Sequence, residues 1–312
     1  MKLPLIDDAL FIDNSSLERF TTCPRSAQYY LLDKREGNEE RQGLGFGKHI
    51  HEILDARYSF HPNVIPDDMS TVLQGRGTLA RMTARADTVF ADWIPEDGSF
   101  RTLATALNFI NVYNETYPVE AFSVLTLPNG KLGCEVPFAL PLCSVEVEGR
   151  EIKVMWTGRI DLIYKREERV YIMDHKTTSM MVPSYFREFE LSSQVFGYVW
   201  AVQELLGVIV DGFCVNALAF RKPTKTGKSL ELLRHIVPID QSLVAEWKHD
   251  TETIVGDLVN MASREDFPKH TKWCVNKYGI CEYAPICGLP PAQRAVLLGS
   301  NMYRDVTWSP LS

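Results

Sequence analysis

Residues 152–165 and 169–177 form two apolar, alternating runs joined by the polar group Lys165-Arg166-Glu167-Glu168-Arg169. That pattern predicts a β-hairpin. Each run carries one acid in its apolar stretch, Asp161 in Gly158-Arg159-Ile160-Asp161 and Asp174 in Asp174-His175-Lys176-Thr177. Side chains alternate along a strand, so Asp174 and Lys176 project from one face and His175 from the other, while Asp161 can meet them across the hairpin. Two carboxylates on rigid strands suit Mg2+ or Mn2+, which take oxygen ligands. A lysine two positions on can orient or help deprotonate a metal-bound water and steady charge developing on a phosphate. The combination reads as a phosphodiester-hydrolysis site; the alternative is a structural Asp-Lys ion pair at a strand end.

The surrounding pattern is α/β. Residues 131–140, 209–221 and 230–237 also alternate as strands, and a helix is expected over 186–206 with Leu191, Val195, Tyr198, Val199 and Val202 on its apolar face. Strand, helix, strand implies a crossover onto a mixed central sheet flanked by helices. Upstream, Ser15 and Glu18 stand at capping-box spacing, Pro24 suits a helix start, and Gly43-Leu44-Gly45-Phe46-Gly47 leads into a helix carrying His51. Residues 68–117 read as a helical insertion broken near Pro95 and Gly98, and 240–263 as a further amphipathic helix. Without repeats or long linkers, one composite domain over 1–312 is expected. Its parts are N-terminal helices at 14–60, the insertion, an α/β core at 121–263 and a cysteine segment at 264–290.

Hydrophobic residues at 45% and charged residues at 23% place the chain among globular proteins. No apolar run nears the roughly eighteen residues of a membrane span, and acids follow the first residues, so a cytoplasmic protein with no membrane partner is expected. The formal charge of −7 argues against a broad basic surface. A nucleic-acid partner would therefore follow a local path or be held through metal ions. Arg221, Lys222, Lys225 and Lys228 are one basic group and Lys34, Arg35, Arg41 and Lys48 another, suited to phosphate contacts or to ordinary solvated loops. Tyr29 and Tyr30 could stack on bases or belong to the core.

The seven cysteines are too sparse for a disulfide scaffold, which leaves reduced thiols and metal ligation. Cys134, Cys143 and Cys214 lie in apolar contexts and read as small core residues. Cys274, Cys281 and Cys287 crowd one segment as Cys-x6-Cys-x5-Cys, while Cys23 stands near the start in Thr22-Cys23-Pro24-Arg25.

From Ser15 to Cys287 the chain resembles the PD-(D/E)XK nuclease superfamily, in particular its RecB-like branch. That branch includes the nuclease domains of bacterial recombination complexes and the CRISPR adaptation nucleases with iron-sulfur clusters. The resemblance implies a restriction-endonuclease-like fold. It also implies a metal site of His51, Asp161, Asp174 and the main-chain carbonyl of His175, with Lys176 as the catalytic lysine and Glu135 matching an acidic strand ahead of the hairpin. Gln194 and Tyr198 match the glutamine and tyrosine on the helix after the lysine. Cys23, Cys274, Cys281 and Cys287 are similar to the ligand set of a [4Fe-4S] cluster, although many relatives have only two residues between the first two C-terminal cysteines; structural Zn2+ is the rival. The expected activity is a metal-dependent DNA nuclease, an exonuclease acting on DNA ends or single strands. A helicase, a recombination protein or a CRISPR adaptation protein is the implied partner, since no helicase phosphate loop occurs. The alternatives are a non-catalytic DNA-binding or assembly subunit and a zinc-stapled interaction protein.

Overall fold

The computed structural model describes residues 3, 5–38, 42–59, 70–224, 227–276 and 279–306. Arg41, Lys225 and residues 68 and 69 of the expected insertion lie outside them. The longer elements are β1 (Ala9–Ile12), α1 (Asn14–Thr22), α2 (Gln42–Tyr58), α3 (Ser70–Val89), α4 (Leu103–Thr116), β2 (Cys134–Val147), β3 (Arg150–Arg166) and β4 (Arg169–Thr178). They continue with α5 (Ser193–Leu206), β5 (Val210–Phe220), β6 (Leu230–Pro238) and α6 (Gln241–Arg264). The result is a mixed α/β fold, and the chain divides into two units. No helix among the described residues is long and apolar enough to cross a membrane.

The first unit holds Met1–Glu39, Pro137–Gly158 and Ser242–Ser312. Here β1 runs parallel to the first half of β3, from Ala9↔Lys153 to Ile12↔Trp156. Trp156 packs edge-on against Trp247 of α6 with ring centroids 5.2 Å apart. The cap of α1 differs from the capping box expected at Ser15: Asp13 is the N-cap, accepting from the Ser16 amide at 2.7 Å. Asp13 has the extended backbone that a cap requires, whereas Ser15 already lies inside the helix. Tyr29 is buried against Tyr283, which makes it core; Tyr30 lies beneath the Arg19 guanidinium. Pro24 occupies the start of the short helix Pro24–Ala27, where its missing amide costs nothing.

The second unit holds Glu40–Val136 and Arg159–Gln241. The second half of β3 pairs antiparallel with β4, β4 runs parallel to β5, and β5 pairs antiparallel with β6. All but one residue of β5 is buried, the pattern of a strand covered on both faces. The core gathers α2, α3 and α4 over this sheet through Phe46, Ile50, Leu54, Met82, Phe109 and Leu218. The insertion is two helices, α3 and α4, with the break where Pro95 and Gly98 stand.

One expected helix is wrong in extent. Residues 186–206 split into Pro183–Arg187 and α5, and Leu191, assigned to the apolar face, is 78% exposed in the turn between them. Phe186 and Phe189, three residues apart, both turn inward and hold that turn in place. α5 closes at Gly207, whose φ of +63° gives the left-handed terminus that suits glycine. Of the three cysteines expected in the core, Cys214 is buried, whereas Cys134 and Cys143 are half-buried; burial pushes the Cys134 thiol up to about 12 and those of Cys143 and Cys214 to about 11.

Candidate active site

The hairpin register, Leu162↔Met173, brings Asp161 beside Asp174 and His175. The His175 amide donates to Asp161 Oδ2 at 2.7 Å. From α2, His51 places Nδ1 3.3 Å from the same oxygen. One turn earlier, Gly47 faces β4 so closely that an added Cβ would lie 2.8 Å from Thr177 Oγ1. A side chain there would push the helix off the strand and His51 away from Asp161. Burial disfavours the charged forms of both partners, but each one's charge favours the other's. The Asp161 carboxyl ends well below the ordinary range, and the His51 imidazole is raised.

Glu135 completes this corner. It has a φ of +46°, in the left-handed region that costs a non-glycine residue on the order of 1 kcal/mol or more. Beside it, the Gly133 carbonyl accepts from Ile163 N–H at 2.6 Å, clamping the start of β2 to β3. One ligand atom each from His51, Glu135 and Asp161 lie within 4.8 Å of one another. Burial, followed by the charge of Asp161, raises the Glu135 carboxyl to about 7. Arg159, on the same strand face as Asp161, approaches Glu135 Oε2 to 3.9 Å.

Asp174 is 2% exposed. Its Oδ2 lies 2.8 Å from Lys176 Nζ, and its Oδ1 accepts from Gln194 Nε2 at 3.4 Å. Burial raises the Asp174 carboxyl, with Lys176 offsetting only part of the rise. For Lys176, burial acts downward but Asp174 outweighs it, so the amine is raised and remains an ammonium at neutral pH. Tyr198 follows Gln194 by one turn on the same side of α5 and is half-buried.

The structure also brings together groups that the sequence reading passed over. As strand alternation predicts, the His175 ring points to the opposite face; there, unforeseen, Asn216 Nδ2 lies 2.9 Å from its Nδ1 and Tyr58 stacks on the ring. Burial lowers this imidazole to about 3, so it is neutral. Asn216 also donates to Tyr113. Arg234 of β6 joins Tyr58, Tyr113 and both oxygens of Glu120 at 2.6–3.0 Å. Arg57 adds a second cation 3.3 Å from Glu120. The visible signal was a lone arginine within the apolar run of β6, Leu232, Leu233, Ile236 and Val237. Tyr185 is a second omission: burial and then the Asp174 charge push its phenol up to about 12, which sets it within electrostatic reach of the acid.

In the first unit, Cys23, Cys274, Cys281 and Cys287 are free, half-buried thiols. The Cys281 amide donates to the Cys274 carbonyl at 2.9 Å, and the His270 amide points at Cys23 Sγ from 3.4 Å. Burial comes first in raising the Cys281 and Cys287 thiols, and Cys23 and Cys274 add to both shifts. Cys281 and Cys287 pack on the buried group Tyr29, Tyr283, Ile286 and Tyr303.

A model of the PD-(D/E)XK nuclease superfamily matches residues 14–288. Among solved structures, the chain is similar to an exonuclease candidate from Eubacterium rectale, with 13% identity, a TM-score of 0.45, and coverage of 89% of this chain and 94% of that one. It is also similar to the protein SSO0001, with 13% identity, a TM-score of 0.25, and coverage of 68% of this chain and 84% of the other. No curated protein matches the chain.

Proposed function

We propose that this chain, which belongs to the PD-(D/E)XK nuclease superfamily, is a RecB-like, divalent-metal-dependent deoxyribonuclease that hydrolyses phosphodiester bonds at DNA ends or in single strands. The observation that carries this reading is the Asp161 carboxylate, oriented by a backbone amide and by His51, with Glu135 beside it and the Asp174–Lys176 pair on the neighbouring strand.

The donor set fits a hard cation. Asp161, His51, Asp174 and the His175 carbonyl would hold Mg2+ or Mn2+, with Glu135 assisting; mixed imidazole and carboxylate donors suit Mn2+ particularly well. When bound, such an ion polarises a phosphoryl oxygen and makes a nucleophile of water at neutral pH. The remaining work belongs to the side chains. Lys176, charged and anchored by Asp174, donates to the attacking water and to the phosphate, meeting negative charge where it develops. Gln194 fixes the Asp174 carboxylate against rotation, with Tyr198 one turn along the same helix side available to the DNA backbone. The buried His175, held by Asn216 and Tyr58, keeps β4 in the position from which its amide orients Asp161.

The four-cysteine neighbourhood is proposed to carry a [4Fe-4S] cluster with a structural role. Backbone amides directed at cysteine sulfur, as at Cys23 and Cys281, and the apolar cover of Tyr29 and Ile286 suit such a group. Unwinding would come from a helicase, a recombination protein or a CRISPR adaptation protein. The test is cleavage of end-labelled single- and double-stranded DNA with Mg2+ or Mn2+, combined with metal analysis. The wild type is expected to cleave only with added cation, and Asp174→Ala and Lys176→Ala to lose at least about 10²–10³-fold while keeping their iron. Undiminished cleavage by both variants would remove the assignment.

A further inference from the structure

Tyr113, near the end of α4 in the helical insertion, is completely buried, yet its hydroxyl meets polar groups from three other elements. Tyr58 Oη lies 2.9 Å away at the end of α2, Asn216 Nδ2 3.0 Å away on β5 and Arg234 Nη2 2.9 Å away on β6. Glu120 fixes the direction of these bonds. Held between Arg234 and Arg57, it is a carboxylate and can only accept. Tyr58 donates its single proton to Glu120 Oε1 at 2.8 Å, so Tyr113 donates to Tyr58 and its own oxygen accepts from Asn216 and Arg234. Phenylalanine at this position would keep the ring and break all three bonds.

The elements joined in this way are those that carry the proposed cation ligands. The Tyr58 ring stacks on His175 with centroids 5.9 Å apart, and the His51 ring meets His175 edge-on at 5.7 Å. His51 then places Nδ1 3.3 Å from Asp161 Oδ2. Contacts therefore run from α4 to the cation site without a gap. Helix α2 is fastened at two places, where Gly47 packs against Thr177 and where Tyr58 bonds Tyr113, and His51 lies between them. Arg57 reinforces the second fastening through Asn114 and the Tyr117 carbonyl at the end of α4. From His51 to Tyr58 the helix rises about 10 Å, a short rigid lever. Releasing its far end moves His51, and a ligand set needs its donors within about 0.5 Å of their places.

Resting on the nuclease reading, we infer that Tyr113 is a positioning residue for the cation site: from the insertion, its hydroxyl holds α2 and β4 at the separation where His51 reaches an ion bound to Asp161. The insertion is then part of the construction of the site rather than a cover laid over it. A residue that served stability alone would leave the ligands indifferent to the loss of one hydroxyl.

The experiment follows Mn2+ by electron paramagnetic resonance, at a temperature where unfolding curves show every variant folded. Wild type is compared with Tyr113→Phe and with Ile110→Ala, which opens a cavity at a buried position of the same helix and removes no side-chain hydrogen bond. Tyr113→Phe is expected to weaken Mn2+ binding about tenfold, and Ile110→Ala to leave it unchanged. Spin-echo modulation by a coordinated imidazole nitrogen supplies a signature of His51 itself. It should be present in wild type and Ile110→Ala, absent in His51→Ala and diminished in Tyr113→Phe. In the His51→Ala background, Tyr113→Phe should cause no further loss of affinity. Tyr58→Phe breaks the same link from its other end while keeping the ring on His175; it should behave like Tyr113→Phe and replaces it if that variant does not fold. Wild-type affinity with full nitrogen modulation in a folded Tyr113→Phe or Tyr58→Phe would overturn the positioning role. So would an equal loss in Ile110→Ala, or a further loss of the same size in the His51→Ala background. Cleavage of end-labelled DNA by wild type in Mn2+ is scored separately. Cleavage by wild type with undiminished Mn2+ binding in Tyr113→Phe sinks only the positioning role, and weakened binding in the variant without any wild-type cleavage sinks only the nuclease reading.

Discussion

The hairpin site around Asp161 and the cysteine segment around Cys281 hold their donors by different means. Asp161 and Asp174 ride on paired strands, over a core that gathers Phe46, Ile50, Leu54 and Leu162, and each carboxylate is already oriented by protein groups. The cysteines sit on short pieces of chain. Val275 and Ile280, paired across the small hairpin between Cys274 and Cys281, are 69% and 72% exposed. What ties that segment down is a handful of long-range bonds: Arg19 to Glu282 at 2.8 Å, Arg25 Nε to the Phe267 carbonyl at 2.6 Å, and Tyr283 to the Arg35 carbonyl at 2.6 Å. The first place is preorganised by folding for the ion proposed above, whereas under the proposed cluster reading the second would be completed by its bound group. A cluster joining Cys23 to the segment would close a loop that His270 already spans across 247 residues, restricting the unfolded chain.

Removing one partner from the buried charge network should produce the largest loss of stability. Arg234→Met leaves the half-buried Glu120 with Arg57 as its remaining cation, and the expected cost is about 2–3 kcal/mol in denaturant unfolding. A loss below about 1 kcal/mol would mean that the second unit does not depend on this network. In the cysteine segment the effect should be local. After Cys281→Ser, or chelation of the wild type, proteolysis within 264–306 is expected to quicken about tenfold, while Mn2+ binding at the hairpin site stays unchanged. Uniform loosening of the whole chain would erase the contrast between the two regions.

The smallest effect is a pH slope. Burial alone would raise the Glu120 carboxyl, but bonds to Arg234 and the charges of Arg234 and Arg57 outweigh it, and the group is lowered from its ordinary 4.5. A depressed carboxyl contributes stability that is present above its unfolded value and lost as pH falls through the folded one. The unfolding free energy should therefore decline on acidification below about pH 4.5, and Glu120→Gln should flatten that limb. An identical slope in wild type and variant would mean that other carboxyls carry it.

Much of this architecture could be read from residue order. The hairpin emerged within two residues of its expected ends because alternation and a charged turn are local signals, and β5 and β6 were found the same way. What escaped depends on partners distant in sequence. Arg234 meets Glu120 across 114 positions, and nothing around either residue announces the other. Glu135 was noticed as an acid, but nothing local announced its left-handed backbone, which stands two residues after the Gly133 carbonyl that Ile163 clamps. Leu191 fits a helical repeat on paper, yet the turn held by Phe186 and Phe189 ends that repeat and turns Leu191 outward.

The central claim is that folding alone sets His51, Glu135 and Asp161 around a place for one divalent cation. Titration of Mn2+ followed by electron paramagnetic resonance tests it directly, without DNA and without turnover. Wild-type protein should take up Mn2+ at this site with loss of the free-ion signal, and Asp161→Asn should abolish that uptake while its unfolding remains cooperative. No uptake by wild type, or equal uptake by the folded Asp161→Asn variant, would contradict the account.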